Sequence, residues 1–344
     1  MLWARSTCYT YLMGKKGAEG QTKQSQEPNN LGEEYYPVPL LYGDGDLIDR
    51  DLYVLYQGNH VVFQKANAPW QRRDAKKLQE FGVNHLYVRT RSLVEFHDFI
   101  DRKVAKILNE REIPIEQKAK VVYAATIHSA EAVFHNPKSM EYARQTVSFV
   151  KHCLEYLNND KNAFFELFRA SALNMTEHNH GLHCAAYAIQ LAKRLGKKDP
   201  KDLLSISIGA MLHDIGKTKI PKKILEKPGA LDEDEIREVR KHPQYGFEIV
   251  KEFASVVPEM ARVIIMQHHE HYEGDGYPKR LKGHQIHLFS RIVRVCDVFD
   301  SMTAHRVYKE KASPIDSLRE LLQTTKEDDE RHLLVNFIEM MKEE

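Results

Sequence analysis

The chain has 344 residues, of which 42% are hydrophobic and 29% are charged, so its length predicts about two domains with sizeable cores. Its 50 basic and 49 acidic side chains nearly cancel, which argues against nucleic acid or an anionic membrane surface as a partner. No apolar run approaches the roughly 18 residues that a membrane-spanning helix needs. The four cysteines are scattered without a paired motif, which is typical of reduced thiols in a cytoplasmic protein.

The first part of the chain changes character near Tyr35. The polar composition before it predicts a disordered lead over residues 1–34. Strand-like runs on both sides of residues 57–59 predict a hairpin, helical spacing follows over residues 74–81, and residues 85–89 return to strand character. Residues 35–95 are therefore expected to form a small α/β domain. It has no catalytic constellation and is a candidate regulatory domain.

From Leu93 onward, apolar residues recur at intervals of three and four, which indicates helices. Helices are predicted over residues 115–135, 139–158 and 163–174, with a break at the Asn-Pro pair of residues 136–137. We expect a mainly α fold, in which a helical connector over residues 96–165 leads into an all-helical C-terminal domain over residues 166–344.

Histidine is unusually frequent, with 18 in the chain and eleven of them between His178 and His305. His213 and Asp214 directly follow an apolar helical run over residues 203–212. Neighbouring residues on a helix diverge by about 100°, so these two side chains can face two adjacent metal ions. An aspartate between the two ions can bind one with each carboxylate oxygen.

Further groups of the metal-binding kind lie at the ends of other helical runs or inside them. His242 lies between two runs, His268 and His269 follow a third, and Asp297 lies within the apolar residues 292–299. A lone carboxylate buried there would be strongly destabilising, so a metal ion is a fitting partner. Any one of these histidines taken alone is more often a core or surface residue. Together they predict a five- or six-coordinate site for Fe, Mn or Zn rather than a structural zinc site.

Five motifs occur in a fixed order. They are His-Asp-Ile-Gly-Lys at residues 213–217, His-Pro-x-x-Gly at 242–246, His-His-Glu at 268–270, Gly-x-Gly-Tyr-Pro at 274–278, and Asp297 followed by Arg-Val-Tyr-Lys at 306–309. This pattern resembles the HD-GYP family, which are HD-superfamily phosphodiesterases that hydrolyse cyclic di-GMP. The resemblance covers residues 170–325 and implies that the C-terminal helical domain is an HD-GYP phosphohydrolase domain.

The resemblance also implies a binuclear metal centre, with two divalent ions of Fe or Mn. The first metal would be held by His180, His213 and Asp297, the second by His242, His268 and His269, and Asp214 would bridge the two. His178, His180 and His183 crowd the upstream position. Matching residues 184–188 to the family pattern selects His180 and leaves His183 where the family has an arginine. The family's ligand for a third metal falls on Thr176, with Glu177 one residue away, so a third metal stays open and is not favoured.

The implied reaction is hydrolysis of the phosphodiester bonds of cyclic di-GMP to pGpG, GMP or both, in bacterial signalling. A metal-bridging hydroxide would attack phosphorus, with Asp214 and Lys217 as the catalytic residues, and Lys217 would neutralise charge on the phosphoryl oxygens. Substrate would be bound by Lys217, Tyr277, Arg306 and Lys309. Arginine suits phosphate because its guanidinium donates through two parallel N–H groups.

Two other functions stay open at this point. One is an HD phosphohydrolase that acts on another cyclic dinucleotide, and the other is a non-catalytic receptor or scaffold for cyclic di-GMP. The Gly-Tyr-Pro loop and the N-terminal domain are candidate contacts for a diguanylate cyclase or another signalling protein. Neither nucleic-acid binding nor membrane insertion is expected.

Overall fold

The computed structural model of the chain describes residues 34–39, 50–56, 58–69, 74, 77–78, 80–81, 83, 85–90, 93–172, 179–303, 313–325 and 327–343. The disordered lead predicted for residues 1–34 falls almost wholly outside the described residues. The chain forms two compact units, Met1–Val121 and Val122–Glu344.

The first unit contains an antiparallel sheet of four strands, β1 Glu34–Pro39, β2 Leu52–Tyr56, β3 Asn59–Gln64 and β4 His85–Thr90, in the order β1-β4-β2-β3. The predicted hairpin is confirmed, because β2 pairs with β3 across a turn in which Gly58 has a φ of 79°. A left-handed conformation of this kind favours glycine, which has no Cβ. Leu52, Val54, Leu86 and Val88 are buried.

Helices make up the rest of the described chain. They are α1 Leu93–Asn109, α2 Ile115–His135, α3 Met140–Asn159, α4 Ala163–Ala172, α5 Asn179–Arg194, α6 Pro200–Leu212, α7 Lys222–Leu225, α8 Glu233–Val239, α9 His242–Lys251, α10 Glu259–Gln267, α11 Leu288–Thr303, α12 Pro314–Thr324 and α13 Asp328–Glu343. The predicted helices over residues 115–135, 139–158 and 163–174 are confirmed as α2, α3 and α4. The predicted fold, a mainly α chain with a small α/β part at its start, is also confirmed.

Helix α6 forms the centre of the second unit and packs against α3, α5 and α10. It begins at Pro200, after Asp199 accepts hydrogen bonds from the backbone N–H groups of Lys201 and Asp202. Its residues from Ser205 to Leu212 are all buried, so the residues that directly follow the helix begin in the interior. Helix α11 packs against α5 and α10 and brings a second set of polar side chains to the same place. Among the described residues, no helix is both long and apolar enough to cross a bilayer.

Candidate metal centre

The site forms where several helices end around the C-terminus of α6. His213 is the residue at which α6 ends, and Asp214 precedes a 3-10 turn over Ile215–Lys219. His242 is the first residue of α9, and His268 directly follows α10. Side chains at helix ends can converge on one point because the backbone changes direction there. The structure therefore brings these motifs together although they are far apart in sequence.

The rings of three histidines are oriented by backbone carbonyl groups. The Nδ1 atoms of His213, His242 and His268 lie 2.7, 2.8 and 2.8 Å from the carbonyl oxygens of Ala210, Val239 and Ile265. A carbonyl oxygen only accepts hydrogen bonds, so each Nδ1 carries the proton and each Nε2 presents a lone pair. This arrangement is the usual support for a histidine that binds a metal.

Asp214 lies between two groups of histidines and directs one oxygen to each. Its Oδ2 is 3.5 Å from Nε2 of His213, and its Oδ1 is 3.4 Å from Nε2 of His242. Lys217 donates from Nζ to Oδ2 at 2.6 Å. The geometry matches a carboxylate shared between two cations, with an ammonium group beside it.

The unsatisfied atoms of the site show that its residues fit divalent metal ions. The Nε2 atoms of His242 and His268 face each other at 3.1 Å, although each carries a lone pair. Nε2 of His213 and Oδ1 of Asp214 are buried and make no hydrogen bond to the described residues. Such groups normally have a partner, and a cation between them would supply it. The atoms of His242, His268 and His269 that can bind a metal lie within 4.8 Å of one another, as do those of His180, His213 and Asp214.

His180 occupies the upstream position of the cluster. Its Nε2 lies 3.1 Å from Oδ1 of Asp297, which is itself 3.9 Å from Nε2 of His213. The ring of His183 instead points to Asp300 and Ser171, and His178 lies outside the described residues. Of the three crowded histidines, the structure therefore brings His180 to the cluster.

Cys184 also lies close to His180, with its Sγ 3.7 Å from Nδ1 and 3.9 Å from Nε2. These nearly equal distances place the sulfur beside the ring rather than along the Nε2 lone pair. Burial raises the pKa of the Cys184 thiol to about 12, against the opposing effect of His180. The thiol is buried and lies beside the imidazole, so Cys184 packs against His180.

Burial and neighbouring charges keep most side chains of the cluster in the protonation state that binds metals. Burial lowers the pKa of His242 and lowers that of His268 strongly, and the pKa of His269 falls to about 3. These rings are therefore neutral at neutral pH. Burial pushes the pKa of Asp214 upward, but Lys217 and the neighbouring histidines bring it well below its usual value. The carboxylate therefore remains ionised.

Tyr277 lies over the second group of histidines. Its ring stacks on that of His269, with the centroids 4.7 Å apart. The guanidinium of Arg240, whose side chain is exposed, lies 5.5 Å from the centroid of the tyrosine ring. The backbone N–H of Tyr277 donates to the carbonyl of His269 at 3.1 Å. The tyrosine predicted to contact the nucleotide is thus held at the edge of the cluster. The other two predicted substrate residues, Arg306 and Lys309, lie outside the described residues.

Two residues of the site had no role assigned from the sequence. Glu270 is 1% exposed and accepts backbone hydrogen bonds from Lys279 at 2.6 Å and Leu281 at 2.8 Å, so it shapes the Gly-Tyr-Pro loop. In the sequence, its position directly after His268 and His269 could have marked Glu270 as a residue of the site. Asp300 is buried and contacts His180. In the sequence, its position three residues after Asp297, almost one helical turn, could have placed Asp300 on the same side of the helix.

Gly216 allows the 3-10 turn to lie directly against α9. A Cβ at this position would overlap the carbonyl group of His242 and the backbone nitrogen of Gly246. Gly216→Ala is therefore expected to push the turn away from α9, to lower the free energy of unfolding by about 1–3 kcal/mol, and to separate Asp214 from His242. Chemical denaturation and metal content of the purified variant measure the two effects. Gly196→Ala is the matched control, because its Cβ has open space but its φ is 79°. It is expected to lower the free energy of unfolding through backbone strain alone and to keep the metal; equal metal loss in both variants would contradict this account.

Comparisons with known proteins agree with this geometry. The model of the HD domain family matches residues 127–330. The cyclic di-GMP phosphodiesterase response regulator RpfG from Xanthomonas campestris is 32% identical over 209 residues, which cover 61% of this chain and 47% of that protein. The 3'3'-cGAMP-specific phosphodiesterase 2 from Vibrio cholerae is 35% identical over 177 residues, covering 51% of this chain and 33% of that protein. The chain thus spans less than half the length of each of these relatives.

A solved structure supports the fold. Bd1817, an HDG"Y"P protein from Bdellovibrio bacteriovorus, superposes with a TM-score of 0.67 at 19% identity, over 90% of this chain and 100% of that one. The resemblance predicted from the motifs is confirmed by these matches. Because the family model matches more than half of its residues, the chain belongs to the HD domain family.

Proposed function

We propose that the chain is a metal-dependent phosphodiesterase that hydrolyses cyclic di-GMP. The observation that carries the proposal is the position of Asp214, which directs one oxygen toward His213 and the other toward His242. Two divalent ions bound on the two sides of this carboxylate would supply a water of lowered pKa and polarise the phosphoryl oxygens. Relatives of the chain are named for cyclic di-GMP hydrolysis.

Two metals, Fe or Mn, fit the donor set better than a structural zinc does, because the proposed ligands are imidazoles and carboxylates. We assign His180, His213 and Asp297 to the first metal and His242, His268 and His269 to the second, with Asp214 between them. The neutral state of the second group supports this, because a protonated imidazole cannot bind a metal.

The protein's own groups bind and orient the substrate. Lys217 lies beside Asp214, where its ammonium can neutralise charge that develops on a phosphoryl oxygen. Tyr277 presents an aromatic face beside His269, on which a guanine can stack. Arg306 and Lys309 are proposed to hold the second phosphate. Linear pGpG still contains a phosphodiester bond, so the same groups can act again to give GMP.

The remaining predictions concern the domains and the partners. We propose that the catalytic module spans residues 166–344, after a helical connector over residues 96–165, and that the small α/β domain over residues 35–95 regulates it. The Gly-Tyr-Pro loop is proposed as a second contact for signalling proteins such as a diguanylate cyclase. Cytoplasmic location stays a prediction. It is supported by the three cysteines of the described residues, Cys153, Cys184 and Cys296, which are free and buried.

A substrate panel tests the proposed activity. Protein purified without oxygen and supplied with Fe²⁺ or Mn²⁺ is incubated with cyclic di-GMP, 3'3'-cGAMP and linear pGpG, and the products are separated by chromatography. Cyclic di-GMP is expected to give the highest kcat/KM. A second candidate, hydrolysis of 3'3'-cGAMP, has support from a relative of similar identity, and a preference for that nucleotide would replace our assignment. Binding of cyclic di-GMP without turnover by any metal-loaded form would favour a receptor.

A further inference from the structure

We propose that Asp300 and His183 act together as positioning residues for His180. This inference rests on the proposed metal site, in which His180 is a ligand. It concerns how that ligand is aimed rather than which groups bind the metal. Neither residue belongs to the proposed ligand set.

Asp300 holds His180 by the nitrogen that faces away from Asp297. Its Oδ2 lies 2.7 Å from Nδ1 of His180, while Nε2 of the same ring lies 3.1 Å from Asp297. A carboxylate only accepts hydrogen bonds, so each nitrogen donates to one in the metal-free chain, and a metal beside Asp297 would take the place of the proton on Nε2 while Nδ1 keeps its bond to Asp300. Carbonyl oxygens do the same for His213, His242 and His268. At His180 the acceptor is charged, and a charge-assisted hydrogen bond is stronger than a neutral one.

Asp300 is itself held by His183 on its other oxygen. Oδ1 of Asp300 lies 3.0 Å from Nδ1 of His183. The carboxylate is only 4% exposed, so it cannot turn its oxygens to water and needs compensation for its charge. Both oxygens have one imidazole each, which fixes the plane of the carboxylate and therefore the direction of the bond to His180.

The ring of His183 is itself fixed by its surroundings. Nε2 lies 2.8 Å from Oγ of Ser171, which also lies 2.8 Å from the carbonyl oxygen of Phe168. The ring also stacks on Phe168, with the centroids 4.6 Å apart. Contacts at both nitrogens and on one face leave the ring little freedom to turn, so Nδ1 stays directed at Asp300.

The consequence is a chain of contacts from Ser171 through His183 and Asp300 to His180. Removing the negative charge of Asp300 frees the His180 ring to rotate or to move its proton to the other nitrogen. Loss of a supporting contact of this kind typically weakens metal binding by about 10–100-fold. The effect should be confined to the first metal, because His242 and His268 of the second group are held by backbone carbonyls instead.

Titration of metal-stripped full-length protein with Mn²⁺, followed by calorimetry and electron paramagnetic resonance, tests the proposal without any nucleotide. Wild type is expected to bind two Mn²⁺ per chain. Asp300→Asn and His183→Leu, which removes every donor to Asp300, are expected to weaken one site by about 10–100-fold and to leave the other unchanged. His183→Arg, which can still donate to Asp300, is expected to retain both affinities.

Glu330→Gln is the matched control. It removes another buried carboxylate, which pairs with Arg291 on α11, and is expected to lower the denaturant midpoint without changing Mn²⁺ affinity. Wild-type affinity in Asp300→Asn, or equal weakening in Glu330→Gln, would overturn the proposal. Equal weakening in His183→Arg and His183→Leu would overturn the role of His183 as a donor to Asp300. If wild type binds two Mn²⁺ but does not hydrolyse cyclic di-GMP, the proposed function fails while this inference stands.

Discussion

Replacing Asp214 with asparagine is expected to abolish hydrolysis of cyclic di-GMP while the protein remains folded. The carboxylate directs one oxygen to each group of histidines, at 3.5 Å from His213 and 3.4 Å from His242. Asparagine has the same size but turns an NH₂ group toward one side and carries no charge. Metal ions contribute several kcal/mol to stabilising the transition state, so their displacement predicts a fall in kcat of about 10³-fold or more.

The measurement is kcat for cyclic di-GMP, together with the number of metals per chain. Asp234→Asn is the control, because this carboxylate is exposed on α8 and pairs only with Arg237 among the described residues; it is expected to leave both quantities unchanged. Turnover by Asp214→Asn within a few-fold of wild type would contradict the bridging role. Undiminished signalling in cells by the inactive variant would instead support the scaffold alternative.

Removing the metals is expected to abolish hydrolysis. When metal is added back, the affinity should depend on pH at one of the two sites only. Burial lowers the pKa of His180, but Cys184, Asp297 and Asp300 raise it well above its usual value in the metal-free chain. A metal must therefore displace a proton from this ring. The pKa values of His242, His268 and His269 are lowered, to about 3 for His269, so no proton competes there at neutral pH.

The sign of the effect follows from proton competition. Below the raised pKa of His180, affinity for the first metal should rise by about tenfold per pH unit, with release of one proton for each ion bound. Affinity for the second metal should stay level from mildly acidic to neutral pH. Calorimetry of Mn²⁺ binding in buffers of different ionisation enthalpy counts the protons. Equal proton release at both sites would contradict the assignment.

Much of the fold and most of the proposed ligands could be predicted from the sequence, because the determining signals are local. The spacing of apolar residues predicted the bounds of α2, α3 and α4 to within two residues at each end. Helix α8 begins with a capping box formed by Asp232 and Glu235, a signal that is likewise local in the sequence. Side chains at helix ends, such as His213 and His242, stood out because motifs surround them.

The remaining parts of the site depend on contacts between distant segments. His180 and Asp297 are 117 residues apart, and His180 and Asp300 are 120 apart, so these contacts could not be read from the sequence, where the family pattern over residues 184–188 was the signal that favoured His180 over His183. The role of Asp300 arises only when α5 and α11 pack together. Likewise, Lys217 was expected to meet phosphate, and the structure shows in addition that it donates to Asp214.

Metal content and hydrolysis measured on one preparation test the central claim most directly. Protein purified without oxygen is analysed for metal, assayed with cyclic di-GMP, stripped with a chelator, assayed again and then reloaded. The expected result is two metals per chain, loss of hydrolysis on stripping and recovery when Fe²⁺ or Mn²⁺ is added. Full hydrolysis by the stripped protein, or none by protein that holds two metals per chain, would contradict the claim.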